Sequence, residues 1–371
     1  MAENLLVNSI IQENLEKTYT RAQRLKIDNK SKIIVLSDFH LGSGKSRDEF
    51  KKNARLIKTV LKEWYLPKGY ILILNGDIEE LHRLRLPTVS RAWEELYEIF
   101  LEFKKGPGLY KILGNHDSNI PGIRKNGRCN AEIEVNSSLL PSLILEYDEY
   151  EMMVLHGHQA SLYNSPFRHK MNKFFLRYMA HPLHINNIKR NFLSDKPLKA
   201  EQRIFDFARN KGIVTLTGHT HRALFEGHSE EEYLKIRIDK MIRDYMKKEE
   251  PKEELRAAIS NTAKILQKLI ENEDYKSRGS IYDPLSVSCL FNSGTVIHKF
   301  GATGIEIQGG KIYLTAWFDK SNTQSRVFLF DPTRFPMKAH PWIQNHTLKS
   351  DDLDYIFTRL SLLTDKKTRN H

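Results

Sequence analysis

Cysteine is scarce in this chain. Two cysteines, Cys129 and Cys289, stand in 371 residues. Their separation gives no CxxC knuckle, and two thiols so far apart do not build a disulfide framework. The default compartment is therefore a reducing cytoplasm. Long apolar runs are also missing. No stretch approaches the roughly 18 residues that a membrane span requires. Residues 1–30 are mixed and charged, without the apolar core of a secretory leader. Contact with a membrane, if any, is expected to be peripheral. No internal repeat and no long low-complexity segment is present. Acidic charge is the minority sign: 46 Asp and Glu against 58 Lys and Arg leave a formal net charge of +12. That balance favours anionic partners, whether phosphorylated substrates, an acidic membrane surface or nucleic acid, without choosing among them.

Against this background, five clusters of metal-binding residue types follow one another in order. They are Asp38-Phe39-His40, Asn75-Gly76-Asp77, Gly114-Asn115-His116-Asp117, His156-Gly157-His158 and Gly218-His219-Thr220-His221. Each comes directly after a short aliphatic run: Ile33–Leu36, Ile71–Leu74, Tyr110–Leu113, Met152–Leu155 and Ile213–Leu216. Short apolar runs bounded by glycine or polar residues read as buried strands. Side chains just past strand ends sit on a rigid frame and can converge on one cleft. Taken singly, Asp38, Asp77 or Asn115 would be read as a turn or helix-cap residue. Taken together, carboxylate, amide oxygen and imidazole form a donor set for manganese, iron or zinc rather than for a soft metal.

The pattern DxH, GDxx(D/E), GNH(D/E), a later His and GHxH resembles that of the calcineurin-like metallophosphoesterases over roughly residues 31–225, resuming near 290–318. The resemblance implies a four-layer αββα sandwich, an α/β fold with helical insertions. It implies that Asp38, His40 and His221 hold one divalent ion, that Asn115, His156 and His219 hold a second, and that Asp77 bridges them. Manganese is the expected metal, with iron or zinc as alternatives. It further implies attack of a metal-bound hydroxide on phosphorus. His116 would serve as general acid or hydrogen-bond donor at the leaving oxygen, and Asp117 would orient His116. His158 is left open between ligand, supporting donor and substrate contact. His82 and His298, lone histidines near strand ends, are weaker candidates.

The reaction implied is hydrolysis of a phosphomonoester or phosphodiester. Substrates would be a phosphorylated small molecule, a phosphoprotein or a phospholipid-like molecule. The bacterial members labelled serine/threonine phosphatase are the most similar in pattern. A looser likeness to UDP-2,3-diacylglucosamine pyrophosphatases raises a lipid-linked nucleotide as an alternative. The chain departs from those enzymes in carrying His116 after Asn115 where they have Arg, and His158 where they have Asp. A nuclease is less favoured, because no nucleic-acid-binding module accompanies the motifs. A metal-binding scaffold without activity would be expected to have lost Asp77 or His116, and both are present.

The expected organisation is an N-terminal helix within residues 1–30, reading as helical over 3–24, and a catalytic domain over 31–331. A C-terminal extension follows at 332–371, with a helix from Asp351 to Leu363. Residues 161–200 read as a basic helical lid. Arg168, Lys170, Lys173 and Arg177 interleave there with Phe167, Phe174 and Phe175, and no acidic residue intervenes over 161–192. It could pack on the core with a basic, substrate-facing edge, or meet an acyl chain or membrane surface. Residues 229–280 read as an inserted helical hairpin, opened by a capping box at Ser229 and Glu232. Ser90–Phe103 reads as one helix, and Gly309-Gly310 as a hairpin turn. The Gly42–Ser46 stretch is only superficially like a phosphate-binding loop.

Overall fold

The computed structural model describes residues 2–117, 135–136, 139–161, 196–225, 253–271, 289–298, 301–321, 334–337 and 339–364, with a few isolated positions between 238 and 245. Almost all of the expected lid lies outside these residues, as do the Ser229/Glu232 capping box and the first helix of the hairpin.

Two sheets carry the fold. The first has six strands in the order β1 (Gln23–Ile27), β6 (Leu143–Tyr147), β7 (Tyr150–Val154), β8 (Val214–Thr217), β10 (Leu290–Ser293) and β9 (Ala223–Leu224). The second has eight, in the order β13 (Arg334–Met337), β14 (His340–Asp352), β12 (Lys311–Asp319), β11 (Ala302–Gln308), β2 (Ile33–Leu36), β3 (Ile71–Asn75), β4 (Leu109–Ile112) and β5 (Leu139–Leu140). Among the described residues there are seven α-helices: α1 (Ala2–Thr20), α2 (Ala54–Val60), α3 (Leu86–Ala92), α4 (Glu94–Lys105), α5 (Lys196–Lys211), α6 (Glu253–Glu271) and α7 (Leu353–Leu363). None is long and apolar enough to cross a membrane.

The four residues of β2 explain the layering. All four are buried, and their side chains alternate between two cores. Ile33 and Val35 join Ile73, Leu143, Leu145, Met152 and Leu216 between the sheets. Ile34 and Leu36 join Leu72 and Leu74 beneath Leu56, Val60, Tyr97, Phe100 and Phe103 of α2 and α4. A strand covered on both faces has no solvent side, so its sequence is a continuous apolar run rather than an alternation. Each such side chain contributes about 1.5–3 kcal/mol by leaving water. On the far face of the six-stranded sheet, Ile11 and Leu15 of α1 and Ile204 and Phe207 of α5 complete the outer layer. The αββα sandwich is thus built from mixed α/β elements around two stacked sheets.

Parallel pairing then sets the function-bearing ends side by side. Leu36 pairs with Leu74 and Asn75 with Ile112, so β2, β3 and β4 end together. Val154 pairs with Leu216, and Asn292 with Thr217, so β7, β8 and β10 end together as well. In open α/β sheets the carboxyl ends of parallel strands are where ligands bind.

Three expected segments differ in detail. The first helix stops at Thr20, and Gln23–Ile27 pairs in parallel with Leu143–Tyr147, so the N-terminal residues supply an edge strand as well as a helix. The described residues from 339 to 364 are not an appendage. β14 pairs with β12 along most of its length, and α7 buries Leu353, Ile356, Phe357 and Leu360 in the inter-sheet core. The single helix expected over Ser90–Phe103 is broken at Trp93, which leaves helical geometry with ψ 29°. Its indole Nε1 donates to Gly42 O and Asp48 Oδ2, tying the break to the loop after β2. The Gly309-Gly310 turn joins β11 to β12 as read from the sequence.

Candidate metal centre

Six residues other than glycine adopt positive φ among the described residues, and five of them are Asp38, His40, Asp77, His219 and His221. Left-handed backbone is costly for residues with a Cβ, and it persists where surrounding structure over-determines it. The over-determination is visible here. The Asp38 amide donates to Gly76 O at 3.1 Å, and the His40 amide to Asp77 O at 2.9 Å. Asp38 Oδ2 accepts from Ser37 Oγ at 2.6 Å and from the His219 amide at 3.0 Å. Ser37 Oγ in turn meets Ser293 Oγ at 2.8 Å and Gly294 O at 3.1 Å. The two sheets are therefore stitched together directly at the site.

Close approach explains two of the glycines in the motifs. A Cβ on Gly114 would lie 2.1 Å from the Asp77 amide nitrogen, and one on Gly218 would lie 2.6 Å from Ser37 Oγ. Any side chain there would push apart the loops that carry the acids.

The acids and imidazoles fall into linked clusters. Asp38, His40 and His221 form one, and Asp77, His156 and His219 another, with candidate ligand atoms within 4.8 Å of each other in each. His221 Nε2 is 3.1 Å from Asp38 Oδ1 and 3.2 Å from His40 Nε2. Asp77 sits where the clusters meet. Its Oδ1 accepts from the His116 amide at 2.8 Å, and its Oδ2 lies 3.2 Å from His156 Nε2 and 3.9 Å from His40 Nε2. Asn115 Oδ1 is shielded from solvent, one residue before His116, whose amide donates to Asp77 Oδ1. His156 is oriented by Nδ1 against Asn75 O at 2.8 Å, which leaves Nε2 facing the cleft. A ligating imidazole held through its other nitrogen is the usual arrangement around metals.

His116 and Asp117 part company. Asp117 is buried, and its carboxylate accepts from the amides of Gly114 at 2.5 Å and Ile78 at 2.9 Å. The partner of His116 Nδ1 is Glu80 Oε1 at 2.9 Å, and Glu80 Oε2 also lies 3.3 Å from His40 Nδ1. The orienting role expected of Asp117 thus falls geometrically to Glu80. Asp117 instead fixes the backbone on which Asp77 and His116 stand. The signal for Glu80 was in the sequence: it is the final carboxylate of Gly76-Asp77-Ile78-Glu79-Glu80.

The remaining histidines divide. The His158 ring lies 5.5 Å from that of His156 and belongs to neither cluster. The His82 ring packs against that of His116 with centroids 4.2 Å apart and planes tilted by 36°. His298 sits in a turn whose carbonyl accepts from Asn53 Nδ2, outside the clusters. A supporting set was not anticipated: Glu201 of α5 accepts from Thr220 Oγ1 and Arg222, each at 2.7 Å, and so anchors the His219–His221 loop.

Electrostatics agree with a site for cations. Burial disfavours the charged form of Asp38, yet His221, His40 and His156 hold its carboxyl well below the usual range. Burial is likewise overcome at Asp77 by His156, His116 and His40, and at Glu80 by His116 and His40. On the imidazole side, burial is outweighed by Asp77 and Asp38, which raise His156 to about 9. His219 goes the other way, to about 4, through burial and the neighbouring charge of His156. Asp117 is pushed up to about 7 by burial and by the charges of Asp77 and Glu79. Asp38 Oδ1 and His156 Nε2 are buried without a hydrogen bond, in a donor set of oxygens and imidazoles. Such orphaned atoms cost energy unless something coordinates them. The residues therefore fit divalent ions.

A two-sheet α/β sandwich with an acid- and histidine-lined cleft at its strand ends has the layout of a metal-dependent hydrolase. The chain belongs to the calcineurin-like phosphoesterases: the sequence profile of that family matches residues 31–223, just over half of the chain. No curated protein sequence matches it. Solved structures similar to it include vacuolar protein sorting 29 from Cryptosporidium parvum (11% identity, 87% of this chain and 98% of that chain, TM-score 0.34). A conserved uncharacterized protein from Streptococcus pneumoniae, described as a predicted phosphoesterase, is 15% identical over 78% of this chain and 89% of its own, with TM-score 0.29. A cold-active protein-tyrosine phosphatase from a psychrophilic Shewanella is 12% identical over 79% and 80%, with TM-score 0.35. The family membership rests on the sequence match rather than on these distant likenesses.

Proposed function

We propose that this chain hydrolyses phosphoric esters with two divalent ions, one held by Asp38, His40 and His221 and one by Asn115, His156 and His219. The observation that carries the reading is the place of Asp77, whose Oδ2 lies 3.2 Å from His156 Nε2 and 3.9 Å from His40 Nε2. One carboxylate between two clusters is what a shared ligand requires. Bound ions would supply Lewis acidity toward the phosphoryl oxygens and the attacking water. Manganese suits the donor set, as do iron and zinc.

The chain's own groups supply the rest. Glu80 accepts from His116 Nδ1, so the proton on that side is fixed and Nε2 is the atom available to the leaving oxygen. In the metal-free site, charge from Glu80 and Asp77 outweighs burial and raises the pKa of His116, the direction that suits an acid. Phosphorylated small molecules, phosphoproteins and phospholipid-like molecules all present the required group. A reducing cytoplasm suits the absence of a disulfide framework.

The test is direct. Protein stripped of metal and reloaded with manganese, iron or zinc is analysed for bound ions and for turnover of p-nitrophenyl phosphate and bis-p-nitrophenyl phosphate. Two ions per chain with restored turnover is the expected result. Asp77→Asn should lose both metal and turnover. Full activity with one ion or none, or undiminished metal content in Asp77→Asn, would overturn the reading.

A further inference from the structure

The loop after β3 turns directly from the site to a cationic rim. Leu81 N donates to His116 O at 3.1 Å, the His82 ring packs at a tilt against that of His116, and Arg83 and Arg85 follow. The loop after β2 runs beside it, since Glu80 N donates to Leu41 O at 3.1 Å. That second loop is held from within by buried Asp48, which accepts from Gly44 N at 2.7 Å and Phe50 N at 3.1 Å, and it exposes Lys45 and Arg47. Among the described residues, none of Lys45, Arg47, Arg83 and Arg85 has an ion-pair partner. Of the acids on these loops, Glu79 is committed to Lys111, Glu80 to the two histidines, and Asp48 to its own loop; Glu49 is the exposed one. The rim thus sets four cations against one exposed acid, Glu49, among the described residues of these two loops.

Its position gives it a direction. His116 is the group assigned to the leaving oxygen, and the arginines lie on the chain just beyond His82, whose ring packs against it. We infer that Arg83 and Arg85 bind an anionic group on the leaving alcohol, so that the preferred substrate is a phosphoric ester whose leaving group carries a second phosphate. The inference rests on the proposed function, and it adds the substrate class. Arginine suits this task because its planar fork meets phosphate oxygens in pairs. Lys45 and Arg47 extend the same field and draw the anion toward the cleft.

The experiment compares propyl phosphate with the bisphosphate of propanediol, a flexible pair that differs by one phosphate. Manganese-loaded protein and the Arg83→Gln/Arg85→Gln variant are assayed for phosphate release, with p-nitrophenyl phosphate as a control. Binding of the two propyl ligands is measured in parallel by calorimetry. The expected preference for the bisphosphate in kcat/KM, after allowing for its two equivalent esters, is about tenfold, as two charge-assisted contacts would give. It should shrink with added salt, and it should vanish in the variant while p-nitrophenyl phosphate turnover stays unchanged. Equal kcat/KM for the two ligands, or a preference that survives in the variant, would overturn the inference and leave the proposed function standing. Failure to hydrolyse any ester would sink the proposed function instead. Calorimetry would then decide the rim alone, with equal binding of the two ligands overturning it.

Discussion

Glu80 and His116 form a pair, Oε1 to Nδ1 at 2.9 Å, and the same carboxylate reaches His40 Nδ1 at 3.3 Å. One side chain thus orients both a candidate metal ligand and the candidate acid. Glu80→Gln keeps the shape and removes the charge. Turnover should fall about 10- to 100-fold, the usual cost of losing an orienting partner at a metal site. Asp117→Asn should behave differently, because its oxygens serve the Gly114 and Ile78 amides rather than the ring. It leaves one buried amide poorly matched, which costs about 1–3 kcal/mol of stability. Kinetics and thermal melting on both variants separate the roles. A selective loss of turnover in Asp117→Asn with unchanged melting would reverse the assignment.

Metal uptake should depend on pH in a stated direction. In the metal-free protein His156 is raised from its ordinary value of 6.5 to about 9 by Asp77 and Asp38, against the effect of burial. A ligand must be deprotonated, so an ion must displace that proton. Affinity should rise as pH increases toward about 9, with a proton released on binding. The stability of the metal-free protein moves oppositely. A raised folded-state value contributes stability in full below 6.5 and loses it as the pH climbs through about 9. Calorimetry in buffers of different ionisation enthalpy reads the proton, and melting in chelator reads the stability. No proton release at neutral pH would contradict the charge balance described.

Away from the cleft, Lys111 and Glu79 form a fully buried ion pair. Lys111 Nζ reaches Glu79 Oε2 at 2.7 Å and Asn136 Oδ1 at 2.6 Å, and Tyr97 OH donates to Glu79 Oε1 at 2.6 Å. Such a pair is a doubtful source of stability, but removing one partner strands a buried charge and costs about 3–5 kcal/mol. Lys111→Met should lower the melting temperature sharply, and adding Glu79→Gln should recover much of the loss. Denaturant unfolding of the two single variants and the double variant measures the coupling. Additive effects would mean that the two charges do not depend on each other.

The strand runs and the five motifs were legible in the sequence because burial on both faces and metal chemistry each leave a contiguous signature. Ile33–Leu36 could hardly be anything but a covered strand, and the DxH and GHxH spacings stand out by residue type. What was not legible depended on partners far away in sequence. Gln23–Ile27 reads as the end of a helix until Leu143–Tyr147 is placed beside it. The residues after 332 look like a tail until β14 pairs with β12. Asp117 and Glu80 are equally plausible neighbours of His116 in one dimension. The choice is made by the Gly114 and Ile78 amides, which occupy Asp117 in three. Trp93 likewise breaks a helix for the sake of Gly42 and Asp48, roughly 50 residues earlier, where helix propensity alone sees no reason to stop.

The leaving group offers the sharpest test of His116. Its Nδ1 is held by Glu80, and its Nε2 lies 4.0 Å from Asp77 Oδ2; the ring groups with Glu80 and His40 and is in neither of the two residue sets proposed for the ions. An acid in that position matters in proportion to how badly the departing oxygen needs a proton. An alkoxide needs it greatly, and a nitrophenolate hardly at all. His116→Ala should therefore reduce kcat on propyl phosphate by about 100-fold or more, within the usual range for acid catalysis, and reduce it much less on p-nitrophenyl phosphate. Metal content should stay the same in the variant, because the ring is not among the proposed ligands. Equal losses on both esters with metal retained would show that His116 stabilises the phosphoryl group rather than the leaving oxygen. Loss of metal would place the ring in the coordination shell, alongside His40 and Glu80.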